Sequence, residues 1–274
     1  MTINCNGNLI NLESPKVMGI LNLTPDSFYD GGKYNDEKSI LDQTQKMLED
    51  GATFIDIGAY SSRPGAKHIS EKEELQRIVP IVKKIISEFP CTIISIDTFR
   101  ASVAKACINE GASIVNDISS GSMDDNMLAT VAELQVPYIM MHMKGTPQNM
   151  QLNPTYNNVT QEVLYYFSEQ ISKARSFGIN DVIIDPGFGF GKTIKHNYTL
   201  LKELDLFNNL DIPLLVGISR KSMIYKTLNS SAQEALNGTT VLNTIALHKN
   251  TNILRVHDVK EAVETVKLIE QLNA

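Results

Sequence analysis

The chain has 274 residues, of which 42% are hydrophobic, and it carries a formal net charge of −6 at pH 7. This length and composition predict one globular domain with a sizeable core, and the acidic balance excludes a nucleic-acid or anionic-membrane partner, because both need a basic surface. The three cysteines have no metal or redox spacing, and no apolar run approaches the roughly 20 residues of a membrane span, so we predict inert thiols and a cytoplasmic protein.

Eight short apolar runs, each followed by a polar residue, alternate with segments long enough for a helix. The polar segment 1–16 is expected to form a short hairpin or plug before them. The strands are predicted to end near residues 22, 57, 97, 117, 143, 185, 219 and 257. The helices are predicted at about 37–50, 71–88, 100–110, 124–134, 158–177, 196–205, 231–248 and 258–272. This order is typical of an α/β fold of the (β/α)8 type, so we predict one TIM-barrel domain over residues 1–274.

The predicted strand ends are polar, and catalytic residues of TIM barrels lie at the C-terminal ends of the strands. These polar residues are Asn22, Asp56, Asp97, Asn116, His142, Asp185, Ser219 and His257. Three loops on the same rim are rich in Gly and Pro, namely TPDSFYDGGKYN, GAYSSRPGAKH and PGFGFGK. Each loop could be an ordinary turn, but together with the polar strand ends they predict an active site at this rim.

Cations are concentrated in the last two strands. Arg255 and His257 alternate with Val256, so both point to the same side of the eighth strand and could form an anion clamp. The alternative is that Arg255 pairs with a neighbouring Asp for structure. In the string GISRKS, Arg220 and Lys221 are adjacent, so one of them should point away from the rim.

Asp97, Asn116 and Asp185 could read the edge of a polar heterocycle, because a carboxylate accepts two N–H bonds and an amide both donates and accepts. The same groups could instead bind a metal, act as a general base or serve as helix N-caps. Asn22 is followed by several oxygen-bearing side chains up to Asp30, a composition that suits Mg²⁺. For His142, a structural role is the favoured interpretation.

Seven strings of this chain, in order and in register, resemble the dihydropteroate synthases, a pterin-binding TIM-barrel family of folate biosynthesis that sulfonamides target. They are MGILNLTPDSFYDGG, IDIGAYSSRPGA, SIDTF, IVNDIS, IDPGFGFGK, LLVGISRKSMI and RVHDVKEA. The resemblance implies a transferase that joins 6-hydroxymethyl-7,8-dihydropterin diphosphate to 4-aminobenzoate, by SN1-like loss of diphosphate and attack of the arylamine. It also implies Mg²⁺ as cofactor, sulfonamides as competitors and a homodimer.

The resemblance further implies roles for individual residues. The pterin ring would be held by Asp97, Asn116, Asp185 and Lys221, and the diphosphate by Arg255 and His257, with Arg63 also on the pterin diphosphate. The aminobenzoate would lie among Phe28, Ser62, Arg63, Pro64, Phe190 and Ser222, and Asn22 would be associated with Mg²⁺. The residues implied in catalysis are Lys221, Arg255, His257 and Asp30.

Two departures from the family pattern concern the second loop. Ser62 stands where many members have Thr, and Ala59-Tyr60 stand where Gly-Glu is common. Two alternatives to the synthase are a pterin-binding methyltransferase on the same barrel and a non-catalytic pterin-binding paralogue. The methyltransferase should lack the strings RVH and SRPG, and the paralogue should have lost Lys221, Arg255 or the first loop, whereas all of these are present.

Overall fold

The computed structural model describes residues 1–23, 33–61 and 68–273, and it has the predicted (β/α)8 architecture. The barrel strands are β3 (Lys16–Asn22), β4 (Phe54–Gly58), β5 (Ile93–Asp97), β6 (Ile114–Asp117), β7 (Tyr138–Met141), β8 (Val182–Asp185), β9 (Leu215–Val216) and β10 (Ile253–Val256). They pair in parallel in the order β8-β7-β6-β5-β4-β3-β10-β9. A parallel bridge between Ile184 and Leu214 joins the two ends of this sheet and closes the barrel.

The predicted N-terminal hairpin is confirmed. Strands β1 (Thr2–Cys5) and β2 (Asn8–Asn11) pair antiparallel around Asn6-Gly7. The hairpin also forms the predicted plug, because its buried side chains pack on the inward-facing residues at the N-terminal ends of the barrel strands. This cluster contains Ile3, Cys5, Leu12, Met18, Phe54, Ile114, Ile139, Ile183, Leu215 and Ile253. The lower half of the barrel interior is therefore apolar and closed.

Helices surround the barrel and mostly follow the predicted segments. They are α1 (Lys33–Glu49), α2 (Glu71–Glu88), α3 (Ala101–Asn109), α4 (Met127–Leu134), α5 (Val159–Ser176), α6 (Ile194–Lys202), α7 (Ser222–Tyr225), α8 (Leu236–His248) and α9 (Val259–Asn273), with a 3-10 helix at Leu204–Leu210. The helix predicted at 231–248 begins only at Leu236, and the short helices at Leu204–Leu210 and Ser222–Tyr225 were not predicted separately. Helix α4 begins later than predicted because Asp124 makes a turn, accepting from Asn126 N at 3.0 Å and from Ala101 N at 2.8 Å. Among the described residues, no helix is long and apolar enough to cross a membrane.

Three strands end earlier than the sequence predicts. Strand β7 ends at Met141 instead of residue 143, because its last pair is Met141 with Asp185, where β8 ends. His142 N makes one further backbone bond, to Asp185 O at 3.0 Å. Strand β9 ends at Val216 instead of 219, because a turn closed by the bond from Lys221 N to Ile218 O at 3.1 Å follows. Strand β10 ends at Val256, one residue before the predicted 257. His142, Ser219 and His257 therefore lie in the loops of the rim.

Candidate active site

A polar layer lies directly above the apolar layer inside the barrel. Side chains two residues apart on a strand point to the same side. Ile253, Phe54, Ile114 and Ile183 line the lower interior, so Arg255, Asp56, Asn116 and Asp185 face inward one step higher. Asp97 lies one step further up at the end of β5, in register with Gly58 and Asn116.

Arg255 is the centre of this layer. Its Nε donates to Asp56 Oδ2 at 2.6 Å, and its Nη2 donates to Asp97 Oδ2 at 2.8 Å. Asn116 Nδ2 donates to the same Asp56 oxygen at 3.1 Å. Arg255 thus forms the structural ion pair with Asp that the sequence left open, and it does so at the barrel mouth, where its side chain keeps 18% of its surface exposed.

Asp56 is the residue of this layer to which the sequence assigned no role. Its side chain is fully buried, and its Oδ1 has no hydrogen-bond partner among the described residues. A carboxylate in this position stabilises the guanidinium and fixes its direction. The available signal was the two-residue spacing from Phe54 in β4, which places Asp56 on the inward side of the barrel.

Burial and opposite charges shift the protonation equilibria of this layer. Burial raises the pKa of Asp97 to about 7, although Arg255 acts in the opposite direction. Burial also raises the pKa of Asp185, against the influence of Lys221. For Arg255, burial lowers the pKa, but the carboxylates of Asp56 and Asp97 outweigh it and raise the pKa overall. Arg255 is therefore a permanent cation, and the neighbouring Asp97 is the group whose protonation can change.

Lys221 approaches the mouth from the turn after β9. Its Nζ donates to Phe188 O and lies 4.8 Å from the ring centroid of Phe190. Burial lowers the pKa of Lys221 to about 8, while Asp185 acts to raise it. Asp185 is held in turn by the bond from Gly187 N to its Oδ1 at 2.8 Å. Lys221, Asp185 and the loop 187–190 therefore form one unit at the rim.

The adjacent Arg220 points away from the mouth, as expected for one of the two cations. It is bidentate to Asp258, with both N–O distances at 2.8 Å, and it also donates to Ala232 O and Gln233 O. Its φ of 55° turns the chain sharply between β9 and α7. This conformation sends Arg220 outward and Lys221 inward.

The remaining predicted residues lie at or near the rim. His257 is exposed, and both its backbone N and its Nδ1 lie within hydrogen-bond distance of Ser219 Oγ, at 3.2 and 3.1 Å. Ser222 is half-buried at the start of α7, and Asn22 is half-buried at the end of β3, opposite Gly58. Phe28, Asp30, Ser62, Arg63 and Pro64 lie outside the described residues.

The N-cap alternative is wrong for Asp97, Asn116 and Asp185. The helices that follow their strands are α3, α4 and α6, whose N-cap residues are Arg100, Asn126 and Thr193. In the ranges 1–23, 33–61 and 68–273, no group of three or more His, Cys, Asp or Glu side chains could hold a metal ion. Asp97, Asn116 and Asp185 therefore do not cap the helices that follow their strands.

Comparisons with known proteins identify the family. A model described as pterin binding enzyme matches residues 18–257. The dihydropteroate synthase of Escherichia coli K12 is 44% identical over 272 residues, which is 98% of this chain and 96% of the relative. The chain belongs to the dihydropteroate synthase family. The resemblance read from the seven strings is therefore confirmed.

Solved structures agree with this membership. The Yersinia pestis dihydropteroate synthase, solved with a sulfonamide drug, superposes with a TM-score of 0.94 at 42% identity, covering 100% of this chain and 99% of that one. The Xanthomonas albilineans dihydropteroate synthase was solved with 7,8-dihydropteroate and superposes with a TM-score of 0.90 at 32% identity, covering 100% of this chain and 99% of that one. These dihydropteroate synthases favour neither the methyltransferase nor the non-catalytic alternative.

Proposed function

We propose that the protein is a transferase that joins 6-hydroxymethyl-7,8-dihydropterin diphosphate to 4-aminobenzoate, giving 7,8-dihydropteroate and diphosphate. The observation that carries the proposal is the polar layer of Arg255, Asp56, Asp97, Asn116 and Asp185 above a closed apolar layer. A flat, polar heterocycle can enter such a mouth and exchange hydrogen bonds with the carboxylates and the amide. The relatives' name and the Xanthomonas albilineans product complex support the same reaction.

In this proposal Asp97, Asn116, Asp185 and Lys221 hold the pterin ring. Asn116 and Asp185 each keep only 5% of their surface exposed, so they would contact the deeper edge of the ring. The amino and ring N–H groups of a pterin are donors, and buried carboxylates are the matching acceptors. Lys221 would donate to the carbonyl side of the ring as a cation.

Arg255 and His257 are proposed to hold the diphosphate. The guanidinium is permanently charged, and His257 lies at the exposed rim, where a charged group would remain outside the barrel. A cation at this point stabilises the negative charge that develops on the leaving group. Arg63, outside the described residues, and the aminobenzoate-side residues Phe28, Ser62 and Pro64 remain predictions of the same kind.

The bond changes need no protein nucleophile. The bond between the exocyclic carbon and the diphosphate oxygen breaks, and its electron pair leaves with the diphosphate. The arylamine nitrogen donates its lone pair to that carbon and then loses a proton to water. Phe190, beside the Lys221 ammonium, and Ser222, at the start of α7, are proposed to flank the arylamine. Asp30 is proposed to assist from the first loop, outside the described residues.

Mg²⁺ is the proposed cofactor, and the protein ligand Asn22 suits it only if the substrate supplies further oxygen ligands. Asn22 supplies one amide oxygen at the rim, and Mg²⁺ commonly takes one or two protein oxygens together with phosphate oxygens and water. When bound, the ion would neutralise charge on the diphosphate. The end of β3 would hold Asn22 in place beside this ion.

Cytoplasmic location, dimerisation and drug competition complete the proposal. Burial raises the pKa of Cys5 and Cys107 to about 12, and the three cysteines are free, as expected for thiols in a reducing compartment. The sulfonamide complex of the Yersinia pestis relative supports sulfonamides as competitors of 4-aminobenzoate. A homodimer is proposed by family resemblance.

The test is an assay of diphosphate release from the purified protein. Release is expected only when Mg²⁺, the pterin diphosphate and 4-aminobenzoate are all present, with 7,8-dihydropteroate formed in equal amount. Release without the arylamine would indicate a hydrolase and overturn the proposal. A sulfonamide should raise the KM for 4-aminobenzoate and leave kcat unchanged.

A further inference from the structure

Lys192 is a buried lysine outside the polar layer, and burial lowers its pKa to about 7, although Asp185 acts to raise it. Only 3% of the surface of Lys192 is exposed, and in the described part of the chain its Nζ forms no ion pair within 4.0 Å. Its Nζ lies 2.9 Å from His142 Nδ1, 3.0 Å from Gly187 O and 3.1 Å from Phe190 O, with His142 O at 3.3 Å. A buried ammonium is expensive unless its donors are satisfied, and here neutral acceptors satisfy them.

These acceptors belong to two different loops of the rim. His142 follows β7, whereas residues 187–191 follow β8. Each carbonyl of the second loop accepts a hydrogen bond: Gly187 and Phe190 from Lys192, Phe188 from Lys221, Gly189 from Gln151 and Gly191 from Tyr156. Lys192 thus binds two carbonyls that bracket the one contacted by Lys221.

Two glycines bring the loops into close contact. Gly187 has a φ of 70°, and a Cβ there would lie 2.0 Å from His142 O. Gly191 has a φ of 57°, and a Cβ there would lie 2.6 Å from Lys144 O. Both positions need glycine for conformation and for space. The backbone of the loop is therefore pressed against the segment that supplies the acceptor of Lys192.

His142 serves as a neutral acceptor in this arrangement. Burial lowers the pKa of His142 to about 2, and the neighbouring Lys192 acts in the same direction. When Lys192 is protonated its ammonium can only donate, so in that state the hydrogen bond requires a lone pair on Nδ1 and places the ring proton on Nε2. The ring is further held edge-on to Tyr166, with centroids 4.9 Å apart.

We infer that Lys192 is a positioning residue for the transfer reaction, and that it acts by fixing the loop 187–190 against His142. This loop places Phe188 O on the ammonium of Lys221 and the Phe190 ring beside the same ammonium. It also fixes Asp185 through Gly187 N. The inference rests on the proposed function, because Lys221, Asp185 and Phe190 are the groups proposed to contact the two substrates.

The direct test is Lys192→Met, which keeps an unbranched side chain and removes the three donors. The matched control is Lys195→Met, at an exposed lysine of α6. We expect Lys192→Met to lower kcat/KM for both substrates by about 10- to 100-fold per folded molecule, the usual scale for a lost supporting contact. Lys195→Met should match the wild type. Equal kinetics in both variants would overturn the inference.

A second pair of variants keeps the inference testable if Lys192→Met does not fold. His142→Gln retains an acceptor for the ammonium, and His142→Leu of similar size removes it. We expect KM for both substrates to rise at least about threefold more in His142→Leu than in His142→Gln. A merely structural role would lower the melting temperature and leave KM per folded molecule the same in both variants, and that result would contradict the inference.

Nitrogen-15 NMR of the wild type provides a measurement that does not depend on turnover. At about pH 6, below the pKa of Lys192, the ring of His142 should be neutral with its proton on Nε2, and either a doubly protonated ring or a proton on Nδ1 would overturn the assignment. The two proposals fail separately. A wild type without synthase activity removes the proposed function, whereas an active wild type with unchanged Lys192→Met and His142→Leu kinetics removes only the role of Lys192.

Discussion

The two halves of the barrel interior are built by the same eight strands and differ completely in chemistry. The lower half is filled by Phe54, Ile114 and their neighbours, and the N-terminal hairpin covers it. Two residues further along the same strands, the upper half contains Asp56, Asn116 and Arg255. Because alternate residues of each strand point inward, the same inward face forms a packed core in the lower half and a charged mouth in the upper half.

This contrast indicates how the molecule separates stability from chemistry. The lower layer gains free energy from burying apolar surface. The upper layer buries a guanidinium between two carboxylates, and such arrangements add little net stability because desolvation offsets the attraction. In the proposed function a ligand could donate a hydrogen bond to Asp56 Oδ1, which has no partner among the described residues, and it would compete with Arg255 for Asp97. Variants in each layer can separate the two roles.

The largest effect is expected from Arg255→Ala. In the proposed function Arg255 stabilises the leaving group, so kcat/KM should fall about 100- to 1,000-fold, the scale for a lost charge-stabilising donor. The substitution also leaves Asp56 and Asp97 without their cation. We therefore expect the free energy of unfolding to fall by about 3 kcal/mol, the usual cost of removing one partner of a buried pair. Kinetics and urea unfolding measure the two effects.

The double variant Asp56→Asn/Arg255→Ala separates the two effects of this substitution. Because a neutral amide then replaces the buried carboxylate of Asp56, part of the lost stability should return while the activity stays low. Arg255→Lys is the matched control for charge, since it keeps the cation but has no second nitrogen with which to bridge the two carboxylates. Full activity in Arg255→Ala would contradict the assignment of the clamp.

The corresponding change in the lower layer is Phe54→Ala. Phe54 is fully buried, so the variant should lose about 3–5 kcal/mol of unfolding free energy through lost burial and cavity formation. The kinetics per folded molecule should stay close to the wild type, because Phe54 lies below the polar layer. Phe177→Ala, at a residue that is 44% exposed, is the control. A large change in KM without loss of stability would contradict the separation of the layers.

The sequence was sufficient for the fold because the barrel is specified by local patterns. Apolar runs at regular spacing gave the strands, and Asn6-Gly7 lies at the turn of the predicted hairpin. The predicted strand ends were less accurate at β7 and β9. Their ends depend on where a neighbouring strand stops and on the left-handed residue Arg220, which are properties of pairing and of the turn.

The candidate site was predictable where a residue lies at the end of a run, as for Asp97, Asn116 and Asp185. It was less predictable where the function of a side chain depends on its partners. Asp56 looked like the other strand ends, and its role follows from the bonds that Arg255 and Asn116 donate to it. Lys192 ends a glycine-rich string, but its acceptors come from His142, 50 positions away in the chain. No local pattern contains such contacts.

A smaller effect, dependent on pH, is expected at Asp97. Its pKa of about 7 in the folded protein exceeds the ordinary value of 3.8, with burial as the main cause. Between these values the folded state binds more protons than the unfolded state, so this group's contribution to stability is lost as the pH rises from about 4 to about 7. Asp97→Asn should therefore gain stability relative to the wild type as the pH rises.

Urea unfolding at about pH 5 and about pH 8 measures this difference. Asp125→Asn, at an exposed carboxylate, is the control and should show the same pH dependence as the wild type. A difference between Asp97→Asn and the wild type that stays constant over this range would mean that Asp97 titrates normally, and the upper layer would then be less desolvated than its geometry indicates.

The smallest effect concerns the rim above both layers, at Tyr60. Its hydroxyl lies 3.2 Å from His68 Nδ1 and accepts from Gln148 Nε2 at 3.1 Å, and its ring packs edge-on against Phe99 with centroids 4.9 Å apart. Tyr60→Phe keeps the ring contact and removes both hydrogen bonds. Because these bonds are solvent-exposed, we expect a loss of about 1 kcal/mol or less of unfolding free energy.

The kinetic effect of Tyr60→Phe should be equally small and limited to one substrate. Tyr60 and Phe190 pack on the same apolar cluster at the rim, so a shift of Tyr60 reaches the proposed arylamine side before it reaches the polar layer. We expect the KM for 4-aminobenzoate to rise by about threefold or less, which corresponds to the lost bonds, with the KM for the pterin diphosphate unchanged. Tyr165→Phe, at a tyrosine that is 67% exposed, is the control. An equal rise in both KM values would mean that Tyr60 influences the polar layer as well as the rim, and it would contradict the prediction.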